Sequence, residues 1–221
     1  MSVPTRVVCA PHSGEHYHIY NRTNNREPLF RNDENRGFFL RLYHDRLRYL
    51  ADTLSWNLLP NHFHFVIRVK PEASVRGQLL AQPPASLTSV ELAFVLGEKT
   101  ISELVVDAFK RLFQSYAQSF NKVFQRKGNL FYRPFKRVHL TPGLQLAKAI
   151  VYVNANAQRH GLVGDFSEWK WTSWHELLGS GLTLLDREAV LRCFGGREEM
   201  IRVHREMTGL EGDPAKKLST F

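Results

Sequence analysis

The chain has 221 residues, 43% hydrophobic and 23% charged, which suffices for one compact core and excludes a collagen-like, disulfide-scaffold or disordered chain. Its 30 Lys and Arg against 21 Asp and Glu leave a formal charge of +9, which suits a polyanion, because phosphates release condensed counterions when Lys and Arg meet them. No apolar run is long enough to span a membrane and no signal-peptide core is present; two distant cysteines, Cys9 and Cys193, point to a reducing cytoplasm.

Residues 15–23, EHYHIYNRT, alternate and predict a first strand. Asn32 or Asp33 caps a helix running to about Leu50, with Phe38, Phe39, Leu42, Leu47 and Leu50 on one side and Arg36, Arg41, Arg46 and Arg48 on the other. A strand from about Asp52 to Leu58, a Pro60-Asn61 turn and a strand from His62 to Val69 make an antiparallel hairpin. Residues 71–100, broken by Pro71, Pro83, Pro84 and Gly97, read as an insertion or a helical excursion from the core, with one short helix near 87–96.

Ile101 to Phe124 repeats apolar residues at three and four and is a strong amphipathic helix ending at a basic turn. LFYRPFKRVHL, 130–140, is an edge strand or extended segment. Thr141-Pro142 opens a helix, Thr as N-cap and Pro at the first position, which runs to about His160 and ends at Gly161. Trp169, Trp171 and Trp174 then read as core or a cover on the sheet. One or two short helices follow at 184–208, and a polar tail, Glu211 to Lys217, is expected to be mobile. The order strand, helix, strand, strand, helix, strand, helix predicts an α+β, ferredoxin-like or RRM-like two-layer sandwich, an antiparallel sheet with helices on one face and a small helical C-terminal extension.

Two patterns carry chemistry. In the strand LLPNHFHFVIRV, His62 and His64 are two apart and share a face, while Phe63 and Phe65 anchor the other. Two neutral imidazoles can chelate a divalent metal but do not complete its shell, and His16 and His18 have the same spacing on the first strand. In AIVYVNANAQRHG, Tyr152 and Asn156 are four apart and lie on one helix face. An amide oxygen suits a hard cation, and a tyrosine oxygen beside that cation could attack a phosphodiester; Tyr20, Tyr116 and Tyr132 compete for the role. A third feature is a basic stretch, Arg126, Lys127, Arg133, Lys136 and Arg137, interleaved with Phe131, Tyr132 and Phe135. Cations there could meet a DNA backbone while aromatics stack on bases, or the stretch is an edge strand with a solvated basic face.

LLPNHFHFVIRV resembles the histidine-hydrophobic-histidine motif of HUH single-tyrosine transposases, most closely the REP-associated tyrosine transposases. The likeness continues through YHIYNRTNNREPLF, Tyr116 to Asn121, GNLFYRPFKRVHL, AIVYVNANAQRHGLV and WKWTSW, and so over roughly residues 15–178, within a transposase domain of 1–178 followed by an extension of 179–221. The resemblance implies His62, His64 and Asn156 as ligands of Mg²⁺ or Mn²⁺ and Tyr152 as nucleophile. It implies cleavage and rejoining of single-stranded DNA beside a hairpin through a 5′-phosphotyrosine, in a monomer or homodimer of a bacterial-type, nucleoid-associated cytoplasmic protein. It leaves His16 and His18 as sheet-face or DNA-proximal residues. The family usually has Asn-Pro where this chain has Asn156-Ala157, and alanine is expected to let the helix continue. Competing readings are a domesticated hairpin-binding protein that does not cut, a relaxase, and a zinc-stabilised fold, the last disfavoured because the two distant cysteines do not close a zinc site.

Overall fold

The structure is a computed structural model that describes residues 8–209; the expected polar tail at 211–217 lies outside the described residues. Along the chain come β1 (His16–Arg22), α1 (Asp33–Leu47), β2 (Ala51–Leu59), β3 (His62–Val69), α2 (Glu72–Leu80), α3 (Ser89–Val95) and α4 (Ile101–Val123). After them come β4 (Lys136–Leu140), α5 (Leu144–Asn154), α6 (Asn156–Arg159), α7 (Trp174–Leu178), α8 (Arg187–Phe194) and α9 (Arg197–Thr208). Among the described residues the sheet has the order β2-β3-β1-β4, with every neighbouring pair antiparallel. This is the expected α+β architecture in ferredoxin-like order, with α1 and α4 as the crossover helices.

The face under α1 and α4 follows from period. Phe63, Phe65, Ile67 and Val69 of β3 alternate with the histidines, and all four are buried. They meet Phe39 and Tyr43 of α1 and Phe109 and Phe113 of α4: Tyr43 stacks on Phe65 with ring centroids 4.0 Å apart, and Phe63 lies 5.4 Å from Phe113. Each such ring contributes roughly 1.5–3 kcal/mol by leaving water. α4 starts sharply because Thr100 and Glu103 form a reciprocal capping box, the Glu103 carboxylate accepting Thr100 N–H at 2.9 Å and Thr100 Oγ1 accepting Glu103 N–H at 3.2 Å.

The expectation of helices on one face needs correction: a second helical layer covers the other face, because that face is apolar enough to be buried too. α5 lies across β2 and β3, and α8 and α9 pack beside it, burying Val190, Phe194 and Met200. Residues 171–173 continue the sheet locally beyond β2: Leu58 N–H donates to Trp171 O and Ser173 N–H donates to Trp56 O, both at 2.9 Å. Trp174 is buried, whereas Trp169 and Trp171 are half-buried. Residues 179–209 therefore share the core of the sheet. The loop before α8 is tied to the sheet by Arg68, whose guanidinium bridges Asp52 at 2.7 Å and Asp186 at 2.9 Å.

Three local expectations change. The 71–100 stretch holds two helices, α2 and α3, joined when Arg76 donates to Phe94 O at 2.8 Å and to Val95 O at 2.6 Å. The helix expected from Thr141 begins at Leu144, because Gly143 adopts φ 86°, a glycine conformation, and Thr141 N–H is instead taken by Gln145 Oε1 at 2.8 Å. Finally, the helix does not run unbroken past Asn156. Ala155, with ψ 3°, separates α5 from α6 one residue before the asparagine, and Gly161 at φ 68° ends the second piece as expected.

Candidate functional site

Register decides which side chains meet. β1 pairs with β3 so that Arg22 opposes His62, Tyr20 opposes His64 and His18 opposes Val66. Opposed residues project to one face. His62 and His64 therefore share a face with His18, Tyr20 and Arg22, and with Lys136, which opposes Tyr20 from β4. Helices α5 and α6 cross this face. The Tyr152 ring stands edge-on to His64 at 5.8 Å and to His18 at 5.9 Å, and the Asn156 Oδ1 lies 3.4 Å from His62 Nε2. The four residues singled out in the sequence, His62, His64, Tyr152 and Asn156, thus come together from a strand and a helix pair some 90 residues apart.

What holds α5 in place is a buried polar cluster. Asn154 Oδ1 accepts from Ser173 Oγ at 2.7 Å and Ser55 Oγ at 3.0 Å, and Asn154 Nδ2 contacts His204 Nε2 at 3.0 Å. Asn57 of β2 donates to Val153 O at 2.8 Å. Buried polar groups need such partners, and these partners fix the register and rotation of the helix end that carries Tyr152 and Asn156.

The imidazoles are neutral at pH 7. Burial holds His18 and His62 at about 4, with the nearby His160 adding to the effect at His62, and burial together with His18 holds His64 well below its ordinary value. His62 Nδ1 faces Asn61 Oδ1 at 2.7 Å, so Nδ1 carries the proton and Nε2 keeps its lone pair. That lone pair then faces an amide oxygen. Two acceptors confronting each other are repulsive unless a cation lies between them or the amide turns over. His64 Nε2 and Asn156 Nδ2 are also buried with no hydrogen-bond partner, in residues only 5% and 1% exposed. Among the described residues no group of three His, Cys, Asp or Glu side chains converges as a metal site. The donor set here is two imidazoles and an amide oxygen, and neutral nitrogen with carbonyl oxygen suits a divalent cation.

No family model matches the chain and no curated protein matches it. A solved structure of a REP-associated tyrosine transposase bound to a REP hairpin is similar to it at 15% identity with a TM-score of 0.48, over 83% of this chain and 88% of that one. At that distance the site assignment rests on this chain's own residues.

The competing tyrosines separate. Tyr116 is buried in the helical layer, its hydroxyl donating to Leu29 O at 2.7 Å. Tyr132 is 45% exposed beneath the Arg22 guanidinium, away from the histidines. Tyr20 shares the histidine face and stacks on His64 at 5.5 Å, while burial raises its pKa.

The basic stretch divides as well. Lys127, Tyr132 and Arg133 are exposed, and Lys127 and Tyr132 line a cavity of about 540 Å³ with Arg22, Asn24 and Asn129. Lys136 is half-buried on the histidine face. Arg126 instead holds its own loop: it forms a bidentate pair with Glu27 and donates to Gly128 O and Asn129 O, each at 3.1 Å. Arg137 lies over Phe135 on the opposite sheet face and donates to Cys9 O at 2.8 Å. Phe131 is a correction: it is 6% exposed and packs 5.0 Å from Phe113, so it belongs to the core and has no free face for a base.

Three neighbours escaped sequence reading. His18, set aside as a sheet-face residue, lies with its Nε2 2.8 Å from His64 Nδ1. His160 stands edge-on to His62 at 4.9 Å, and the Arg159 guanidinium lies 5.1 Å from the centre of the Tyr152 ring. The alternation of HYHIYNR signalled that His18 and Tyr20 share a face; only the strand order put that face beside His64.

Proposed function

We propose that this protein is a DNA transposase-type strand transferase, which cleaves and rejoins single-stranded DNA beside a hairpin through a covalent phosphotyrosine. The observation that carries the reading is the meeting of Tyr152 with two neutral histidines and the Asn156 amide, a group in which His64 Nε2 and Asn156 Nδ2 are buried without a hydrogen-bond partner. The net charge of +9 and the exposed Lys127, Arg133 and Tyr132 fit a nucleic-acid substrate, with cations on the backbone and a ring for an unpaired base.

His62 Nε2, His64 Nε2 and Asn156 Oδ1 would hold Mg²⁺ or Mn²⁺. When bound, the cation supplies positive charge to a phosphoryl oxygen. Tyr152 Oη attacks the phosphorus, the bond to the leaving 3′ oxygen breaks, and the strand divides into a 5′-phosphotyrosine and a free 3′-hydroxyl. Attack by a second 3′-hydroxyl on the same phosphorus releases the tyrosine and rejoins DNA without ATP. Arg159 stands 5.1 Å from the centre of the Tyr152 ring, where its charge is drawn to the ring face and helps hold the ring. Asn57, Asn154 and Ser173 hold the helix so that Tyr152 Oη keeps its place.

The test mixes the protein with Mn²⁺ and labelled single-stranded oligonucleotides copied from hairpins flanking its gene. An adduct that survives SDS and disappears in Tyr152→Phe is expected. An adduct that persists in that variant moves the nucleophile, Tyr20 being the next candidate. Hairpin binding without an adduct across a broad set of flanks supports the alternative of a non-cutting hairpin-binding protein.

A further inference from the structure

On the reading that His62 and His64 are metal ligands, we propose that His18 is the positioning residue of His64, accepting the His64 Nδ1–H so that the His64 Nε2 lone pair is the one offered to the metal. The geometry treats the two candidate ligands alike. His62 has its Nδ1 engaged by Asn61 Oδ1 at 2.7 Å, and His64 has its Nδ1 engaged by His18 Nε2 at 2.8 Å. In both rings it is Nε2 that remains, at 3.4 Å from Asn156 Oδ1 in His62 and buried without a partner in His64.

A neutral imidazole has one N–H and one lone pair, so the contact between two rings has only two neutral solutions. In one, His18 donates from Nε2; His64 Nδ1 then accepts, its Nε2 bears hydrogen, and the ring cannot ligate through that atom. In the other, His64 donates from Nδ1 and His18 carries its own proton on Nδ1. Ligation through the His64 Nε2 requires the second. Metal-bound histidines commonly donate their other N–H to an outer partner that fixes tautomer and ring orientation, and loss of that partner weakens the metal about 10- to 100-fold. Here the outer partner is a histidine, held by the pairing of β1 with β3 and flanked by the Tyr20 ring at 4.8 Å. His18 thereby links the first strand to the site, although its side chain is aimed at a ligand and not at substrate.

The experiment measures Mn²⁺ binding to the intact protein by calorimetry and by the free-Mn²⁺ electron paramagnetic resonance signal. His18→Phe keeps a ring and removes the acceptor; His18→Gln keeps an acceptor oxygen. The expected result is a dissociation constant about 10- to 100-fold higher for His18→Phe and within about threefold of the parent for His18→Gln. Equal binding by parent and His18→Phe, or equal weakening in both variants, overturns the proposal while leaving the metal site standing. If the parent binds no Mn²⁺, or His62→Ala and His64→Ala bind as tightly as the parent, the metal site itself fails and this role with it. Should His18→Phe not fold, ¹⁵N spectra of the metal-free parent decide: a proton on His64 Nδ1 is expected, and one on Nε2 overturns the assignment.

Discussion

The two faces of β3 are built on different physics. One presents Phe63 and Phe65 to α1 and α4, where contact and exclusion of water suffice and direction matters little. The other presents His62 and His64 to α5 and α6, where every group has a donor or acceptor to satisfy and some remain unsatisfied. The aromatic face supplies stability. The histidine face holds buried polar atoms at a cost in stability, and the Asn154 cluster beside it keeps that arrangement in one geometry. The difference teaches that one strand can anchor a site and present it, because alternation separates the two tasks by a single residue.

The largest effect should come from the aromatic side. Phe65→Ala removes the ring stacked on Tyr43 and is expected to lower stability by about 3–5 kcal/mol in urea unfolding. Replacing Asn154 by Leu strands Ser55, Ser173 and His204, at a cost of about 2–3 kcal/mol in the same measurement; adduct formation should fall more than the stability loss explains, because Tyr152 and Asn156 lose their register. A loss near that of a surface substitution would show the cluster to be slack.

Between about pH 6.5 and about pH 4, acid should act on the polar side. Burial holds His18, His62 and His204 at about 4 in the folded protein, against an unfolded value near 6.5. Between those values the unfolded chain binds protons that the folded one does not. Stability should therefore fall as pH drops from about 6.5 to about 4, by on the order of 3 kcal/mol for each group, and these groups should add nothing further below that. A urea midpoint that stays level over this range would contradict the neutral, buried histidines.

A smaller change sharpens the contrast. His64→Leu removes an unpartnered Nε2 but also leaves the buried His18 Nε2 without its partner, and should lower stability by about 1–2 kcal/mol while abolishing Mn²⁺ binding by calorimetry. The smallest effect belongs to the exposed cations: Arg133→Gln should weaken single-stranded DNA binding evenly across sequences and reduce the slope of log affinity against log salt by roughly 0.7.

Much of this was legible beforehand, for reasons that can be named. The β3 bounds, His62–Val69, follow from alternation after a Pro-Asn turn, and the Ile101–Val123 helix follows from a repeat of three and four that ends in a glycine-bearing turn. The spacings His62-x-His64 and Tyr152-x₃-Asn156 give shared faces from local geometry, but His16-x-His18 has the same spacing and Tyr20, Tyr116 and Tyr132 compete, so the choice among them came from the family resemblance. What stayed hidden was relational. Phe131 and Tyr132 are adjacent and both aromatic, yet one is in the core and the other in solvent, because that depends on where the segment crosses α4. Arg126 and Lys127 are adjacent cations, yet Arg126 is taken up by Glu27 and by the carbonyls of its own loop while Lys127 is exposed.

By itself the sequence determined the alternation that gives β3 two unlike faces, the cap of α1 at Asn32, the stop at Gly161, and an excess of positive charge, since each is local or a matter of composition. Tertiary structure alone decided that His18 meets His64, that His204 and Asn154 secure the helix carrying Tyr152, and that residues 179–209 share the core. The physical reason is that strand order and helix docking are chosen by contacts between segments 40 to 120 residues apart, whose free energy belongs to the packed pair and to neither segment alone.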